Sequence, residues 1–357
     1  MKTAEDYERE FEQAAAAVQA KQTGRGALRV VARADHVERE SYLDPLDEPL
    51  DRPAQPCRPF AWIEESRLPK REWLYGRHYI RKFVSATFAP GGVGKSSLAL
   101  VEALAMVSGK PLLGVPAHPR GPFRVAYWSG EDPNQENALR VMATALHHGL
   151  TRDDLGEEWF EEVDIYGEPC SGYERPRLLL GSGREAPVIL AKQTASGIEI
   201  LAPNVEVVEE MIRDYQLDVV IIDPFVSSHQ VSENDNNAID TVVKEWARIA
   251  DRHNISVELV HHTRKTNGAE TTVEDGRGAV SLLAATRAAR VLNVMTKDEA
   301  ERAGVENPHE YFRSDGGKAN MSPRTDKATW HRIVSRRIRN GDEDAGDDYY
   351  VGDTWVR

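Results

Sequence analysis

Apolar residues recur along this chain in two ways, as short continuous runs and at helical spacing. Runs bounded by turn residues predict buried strands, and returns every three or four positions predict helices that bury one face. Residues 83–88 read as a strand, followed by a helix on which Leu98, Val101, Leu104, Ala105 and Val107 recur until Gly109. A strand over 123–128 and a helix over 134–148 come next, then a helix near 205–215 and the run Val219, Val220, Ile221, Ile222. Four consecutive β-formers suit a strand buried on both faces of a parallel sheet. A helix over 238–251, a strand over 255–260, a helix or turn over 279–287 and strands near 290–295 and 329–334 complete the series. Strands alternating with helices predict an α/β fold of three layers, with any ligand outside the strand carboxyl ends.

Other stretches break the pattern. Residues 1–22 carry a weak apolar face, with Tyr7, Phe11, Ala14, Ala15 and Val18 at helical spacing, and 44–59 are rich in Pro and Asp, as linkers are. The chain therefore divides into an N-terminal extension, 1–59, and a main domain, 60–357. Within that domain, 150–205 alternates strand-like runs with Gly-rich turns and reads as a hairpin-rich insertion. Residues 227–237 read as a polar, flexible loop without Lys or Arg, and 264–278 as a polar loop with Arg264, Lys265 and Arg277.

Charge narrows the function classes. Against 58 Asp and Glu stand 45 Lys and Arg, which excludes the uniformly basic surface of a protein that coats nucleic acid. A channel lined by a few basic loops remains compatible with that balance. Cys57 and Cys170 are too few and too far apart for a disulfide framework or a zinc site, and imply a reducing compartment. No apolar run is long enough for a membrane helix and the first residues are acidic, so a soluble, cytoplasmic protein is expected.

The chemistry concentrates after the first strand. Ala89-Pro90-Gly91-Gly92-Val93-Gly94-Lys95-Ser96 fits the phosphate-loop pattern G-x-x-x-x-G-K-[ST] at every fixed position but the first. Its glycines let successive backbone N–H groups form a concave nest, and the helix that follows adds its positive end. Pro90, Gly91, Gly92, Val93, Gly94, Lys95, Ser96 and Ser97 are the expected ATP-binding segment, with Lys95 on the β and γ phosphates and Ser96 on Mg2+. Asp223, ending an apolar strand, is the expected second metal carboxylate. Because Pro224 follows it, the water-activating carboxylate must come from elsewhere. The Glu131-Asp132 pair ends the neighbouring strand, and the longer Glu131 reaches a water more readily, leaving Asp132 as a helix cap.

Residues 84–97, 129–132, 221–224 and 260–265 together resemble RecA-like ATPases, most closely the RepA-type hexameric replicative helicases of plasmids and mobile elements, over roughly 69–334. The resemblance implies a RecA-like P-loop NTPase core, Glu131 as catalytic base, and a γ-phosphate-sensing histidine at His262, with His261 as alternative. It further implies single-stranded DNA as partner and a homo-oligomeric, hexameric ring. The stretch Lys318-Ala319-Asn320-Met321-Ser322-Pro323 looks like a segment whose Lys and Arg act on a neighbour's nucleotide in related helicases. Lys318 is kept, but Asn320 stands where the Arg would be, and the resemblance moves the trans-acting arginine to Arg290, with Arg287 and Arg277 as alternatives. A RecA-fold ATPase that acts as a switch or loader without unwinding is the competing function, and a small-molecule kinase a more remote one.

Overall fold

The computed structural model describes residues 57, 60–116, 121–156, 159–163, 169–173, 176–263, 270–272, 279–319, 321, 328–339 and 346–354. Two compact units divide the chain, 1–69 and 70–357. The described part of the first holds one 3-10 turn, Glu65–Arg67. The expected helix over 1–22 lies outside the described residues, as does the linker over 44–59 apart from Cys57. Among the described residues, no helix is long and apolar enough to cross a membrane.

The second unit opens with a small antiparallel hairpin, β1 (Trp73–Tyr75) and β2 (Tyr79–Ile80), then β3 (Val84–Ala89) and α1 (Lys95–Ser108). Next come β4 (Val125–Ser129), α2 (Asn134–His147), the hairpin β5 (Trp159–Val163) and β6 (Pro169–Tyr173), and β7 (Leu178–Ser182). After β8 (Ala191–Thr194) and β9 (Gly197–Ile200) the chain forms α3 (Ala202–Asp214), β10 (Val219–Asp223), β11 (His229–Gln230), α4 (Asn236–Arg252) and β12 (Ser256–His262). It continues through α5 (Ala279–Ala285), β13 (Ala288–Val294), α6 (Lys297–Ala303), β14 (Tyr311–Ala319), β15 (Thr329–Ile338) and β16 (Asp347–Thr354). Six of these strands pair in parallel in the order β13-β3-β12-β10-β4-β7, and β14, β15 and β16 extend the β13 edge antiparallel.

Alternation along each central strand divides the core into two layers. One face, with Val84, Ala86, Phe88, Val220, Ile222, Val257 and Leu259, packs on α3 and α4, where Trp246 is fully buried. The other, with Val125, Tyr127, Val219 and Ile221, packs on Leu100, Ala103, Leu104 and Val107 of α1 and on Val141 of α2. From β3 the chain crosses to β4 on one side, and from β12 to β13 on the other, so the direction of winding reverses at β3. A crevice at such a switch point, outside the strand carboxyl ends, is where open α/β sheets hold ligands. This is the mostly parallel, three-layer RecA-like core expected from the alternation and the motif order.

Three expectations change. The region 150–205 is not purely an insertion, because β7 joins the main sheet beside β4, while β8 and β9 form a separate three-stranded sheet with β11. The stretch 227–237 is largely ordered: a 3-10 turn, Phe225–Ser228, leads into β11, and Asp235 caps α4 by accepting from the N–H groups of Asn237 and Ala238. Finally, β14 and β16 carry too many polar residues for an apolar run to mark them, yet they complete the sheet and curl over α1 and α2. Tyr349 and Val351 are buried against Ala143 of α2.

Candidate functional site

The turn between β3 and α1 has its shape forced at Gly94. There φ is +105°, a conformation that side-chain-bearing residues rarely adopt, and a Cβ would come within 2.5 Å of Ile333 Cδ1 on β15. Gly91 and Gly92 are exposed at the turn, whereas Lys95 is buried, 6 % exposed. Its Nζ donates to the Pro90 carbonyl oxygen at 3.2 Å. Burial lowers the Lys95 pKa, and the opposing pull of Asp223 and Glu131 only partly restores it.

Asp223 ends β10 almost fully buried, with Tyr127 Oη donating to its Oδ2 at 2.9 Å. The phenol is held un-ionised, its pKa raised by burial and then by Asp223, and the Ser96 side chain bonds the same oxygen. A hydroxyl and a carboxylate converging beside the phosphate loop make a hard-oxygen donor set, which fits Mg2+. Tyr127 lies in an apolar strand without a motif around it. The signal that points to it is general: a buried phenol needs a partner for its hydroxyl.

Glu131 and Asp132 separate cleanly. Asp132 is paired with Arg140 Nη1 at 2.7 Å, while Glu131 projects with its side chain 63 % exposed and its Oε1 3.8 Å from His262 Nε2. The loop between them is pinned from β7 and the turn after it: Ser182 Oγ donates to the Asp132 carbonyl oxygen at 2.7 Å and Arg184 Nε to that of Glu131 at 2.6 Å. Glu185 accepts from the N–H of Asn134, the first residue of α2. Residues of 150–205 thus hold the candidate base in place, a role invisible in sequence because each contact spans some fifty positions. Gly130 permits the turn, since a Cβ there would collide with the Ser227 side chain.

The two histidines ending β12 also divide. His261 is buried, edge-on to Phe88 and Phe225, whereas His262 faces the site. Burial, then Lys95, lowers the His262 pKa, against the pull of Glu131 and Asp223. Lys95, Ser96, Asp223, Glu131 and His262, drawn from four elements, therefore meet at one edge of the sheet.

Arg290 and Lys318 are not brought there. Arg290 is a correction: its side chain is only 11 % exposed and its donors are taken, Nη1 and Nη2 by the carboxylate of Glu102 at 2.6 Å each and Nε by Thr87 Oγ1 at 2.8 Å. Burial opposes its charge, and Glu102 more than offsets that, raising the pKa. A guanidinium so engaged inside its own subunit has nothing to offer a neighbour. The network continues through Tyr79, which donates to Glu102 at 2.9 Å, and through Glu258, which is fully buried and accepts from Ser85, Thr87 and, at 2.8 Å, His78. Burial would raise the Glu258 pKa, but His78, Arg290 and the hydroxyl donors lower it overall. Lys318 lies at the other end of the sheet, opposite Ala289, with Nζ donating to the carbonyl oxygens of Leu283 and, at 3.0 Å, Ala284 at the end of α5. Burial and the neighbouring Arg287 lower its pKa. Arg277 lies outside the described residues.

A protein-family model, the AAA domain, matches residues 47–268. Among solved structures, the chain is similar to a helicase ATPase domain, at 13 % identity and a TM-score of 0.46, over 71 % of this chain and 82 % of that one. It is also similar to the RadB recombinase, at 13 % identity and a TM-score of 0.43, over 72 % and 89 % of the two chains.

Proposed function

Since the chain belongs to the AAA domain family, and is a RecA-like P-loop ATPase, we propose that it is an ATP-driven motor on single-stranded DNA, a RepA-type replicative helicase working as a hexameric ring. One observation carries the reading: the carboxylate facing the phosphate loop ends β4, the strand beside Asp223, and is not the residue after Asp223. Glu131 accepts the proton of the attacking water, within reach of the phosphate-loop lysine and of His262. Backbone N–H groups of 91–96 and Lys95 hold the triphosphate. Ser96 and Asp223 would hold Mg2+, which supplies positive charge to the β and γ phosphate oxygens. His262, neutral at pH 7 because its pKa is lowered, donates to a γ-phosphate oxygen and reports whether it is present. The cation completing the transition state comes from a neighbour, and Lys318 with Arg287 are the candidates on the described surface.

ATP turnover measured with and without single-stranded DNA, at two salt concentrations, together with the mass of the nucleotide-bound assembly, tests the proposal. A motor on DNA shows stimulation that weakens with salt and a six-chain mass. The acidic balance of the chain and the lack of Lys or Arg over 227–237 favour one rival, a non-unwinding ATPase serving as switch or loader. Turnover indifferent to DNA, with no unwinding of a forked duplex, selects that rival.

A further inference from the structure

At the end of α2 remote from Glu131, three side chains with metal-binding atoms come together. His147 is the last residue of α2 and His148 its cap, and both reach β16. His147 Nε2 lies 3.0 Å from Asp353 Oδ2, and His148 Nε2 lies 3.0 Å from the carbonyl oxygen of Gly352. The imidazoles meet edge to face with centroids 4.8 Å apart. One ligand atom from each of His147, His148 and Asp353 lies within 4.8 Å of the others, and all three residues are half-buried.

Nitrogen and oxygen donors held at about 2.0–2.2 Å from one ion stand roughly 3–4 Å from each other, so modest side-chain rotation closes this cluster around a cation. Two imidazoles and one carboxylate suit Zn2+ and its first-row neighbours, while Mg2+ and Ca2+ prefer oxygen donors alone. The helix end contributes too, because its outward carbonyl groups give it partial negative charge. Neither histidine nor Asp353 takes part in the nucleotide site, so the inference does not depend on the proposed function.

We infer that His147, His148 and Asp353 form a binding site for a first-row transition-metal dication, Zn2+ fitting best, which fastens β16 to the carboxyl end of α2. The test uses the full chain stripped with chelator and free of nucleotide, titrated with Co2+ and then Zn2+. One equivalent of Co2+ should develop visible d–d bands that Zn2+ abolishes. Losing a ligand should cost at least what losing an outer-shell partner does, so affinity in His148→Gln and Asp353→Asn should fall roughly 10- to 100-fold. Asp223→Asn, altering the other candidate cation site, should leave the bands unchanged. Wild-type protein supplies a readout without variants: Zn2+ should protect His147 and His148 from carbethoxylation by diethyl pyrocarbonate, mapped by mass spectrometry. Equal Co2+ affinity in Asp353→Asn, absence of d–d bands at one equivalent, or unprotected histidines at saturating Zn2+ would each overturn the inference.

Discussion

Lys95 and Arg290 are both buried cations tied to α1, the first by covalent sequence and the second through Glu102, yet their situations are opposite. Lys95 makes a single hydrogen bond among the described residues, to a backbone carbonyl, and two carboxylates stand near without closing on it. Arg290 spends its donors on Glu102 and Thr87, and the carboxylates around it are likewise satisfied. Unused hydrogen-bonding capacity next to a crevice marks a ligand site, whereas saturated capacity inside a sheet marks a structural one. Burial alone does not distinguish the two.

Substitutions should split along that line. At the open site, Glu131→Gln should lower ATP turnover by roughly 10²- to 10⁴-fold with nucleotide affinity retained, and Lys95→Ala should leave the unfolding midpoint nearly unchanged while turnover collapses. Steady-state kinetics beside a urea titration read both, and a Glu131→Gln protein that turns over at the parent rate returns the search for a base to Asp132. At the closed site the pattern should invert: Arg290→Met strands Glu102 and should cost about 3–5 kcal/mol of stability, while Arg290→Met with Glu102→Leu recovers most of it. If Arg290→Met folds with parent stability and loses only turnover at high protein concentration, the residue serves a neighbour after all.

Acid should expose the interior further. Burial holds the imidazoles of His229 and His331 near pKa 4, against about 6.5 in an unfolded chain. The unfolded state therefore takes up protons first as pH falls, and stability present at pH 7 drains between about 6.5 and 4, by about 2 kcal/mol per histidine at pH 5. Urea midpoints at pH 7 and 5 check this, and His331→Phe, placed against Phe312, should flatten the dependence. The smallest effect belongs to Tyr127→Phe. Loss of a hydrogen bond to a charged group should cost about 1.5–3 kcal/mol when Asp223 is ionised and no metal is bound, and should shift the Mg2+ requirement for turnover. An unchanged Mg2+ titration would leave Tyr127 a packing residue.

The core was readable from the chain because strands buried on both faces, such as Val219 to Ile222, and helices with one apolar face leave periodic marks. The site was readable in its covalent parts, the turn before α1 and the carboxylates at strand ends. What escaped was contact between distant positions. Arg290 could not reveal that Glu102, 188 residues away, occupies it, nor could Glu131 reveal that Arg140 takes its neighbour Asp132 out of contention. The antiparallel tail escaped because β15 and β16 bury only scattered positions and offer many charged residues to solvent.

Gly94 carries two independent locks, its positive φ and the methyl of Ile333 pressed against it. In genetic terms this makes the position a dead end. Shaving the tail with Ile333→Ala would open room for a side chain without relieving the backbone, so it cannot suppress Gly94→Ala. A selection for revertants of that variant should return glycine itself, while lesions at Ile333 alone should be repairable at Phe312 or Val101, which share the same wall.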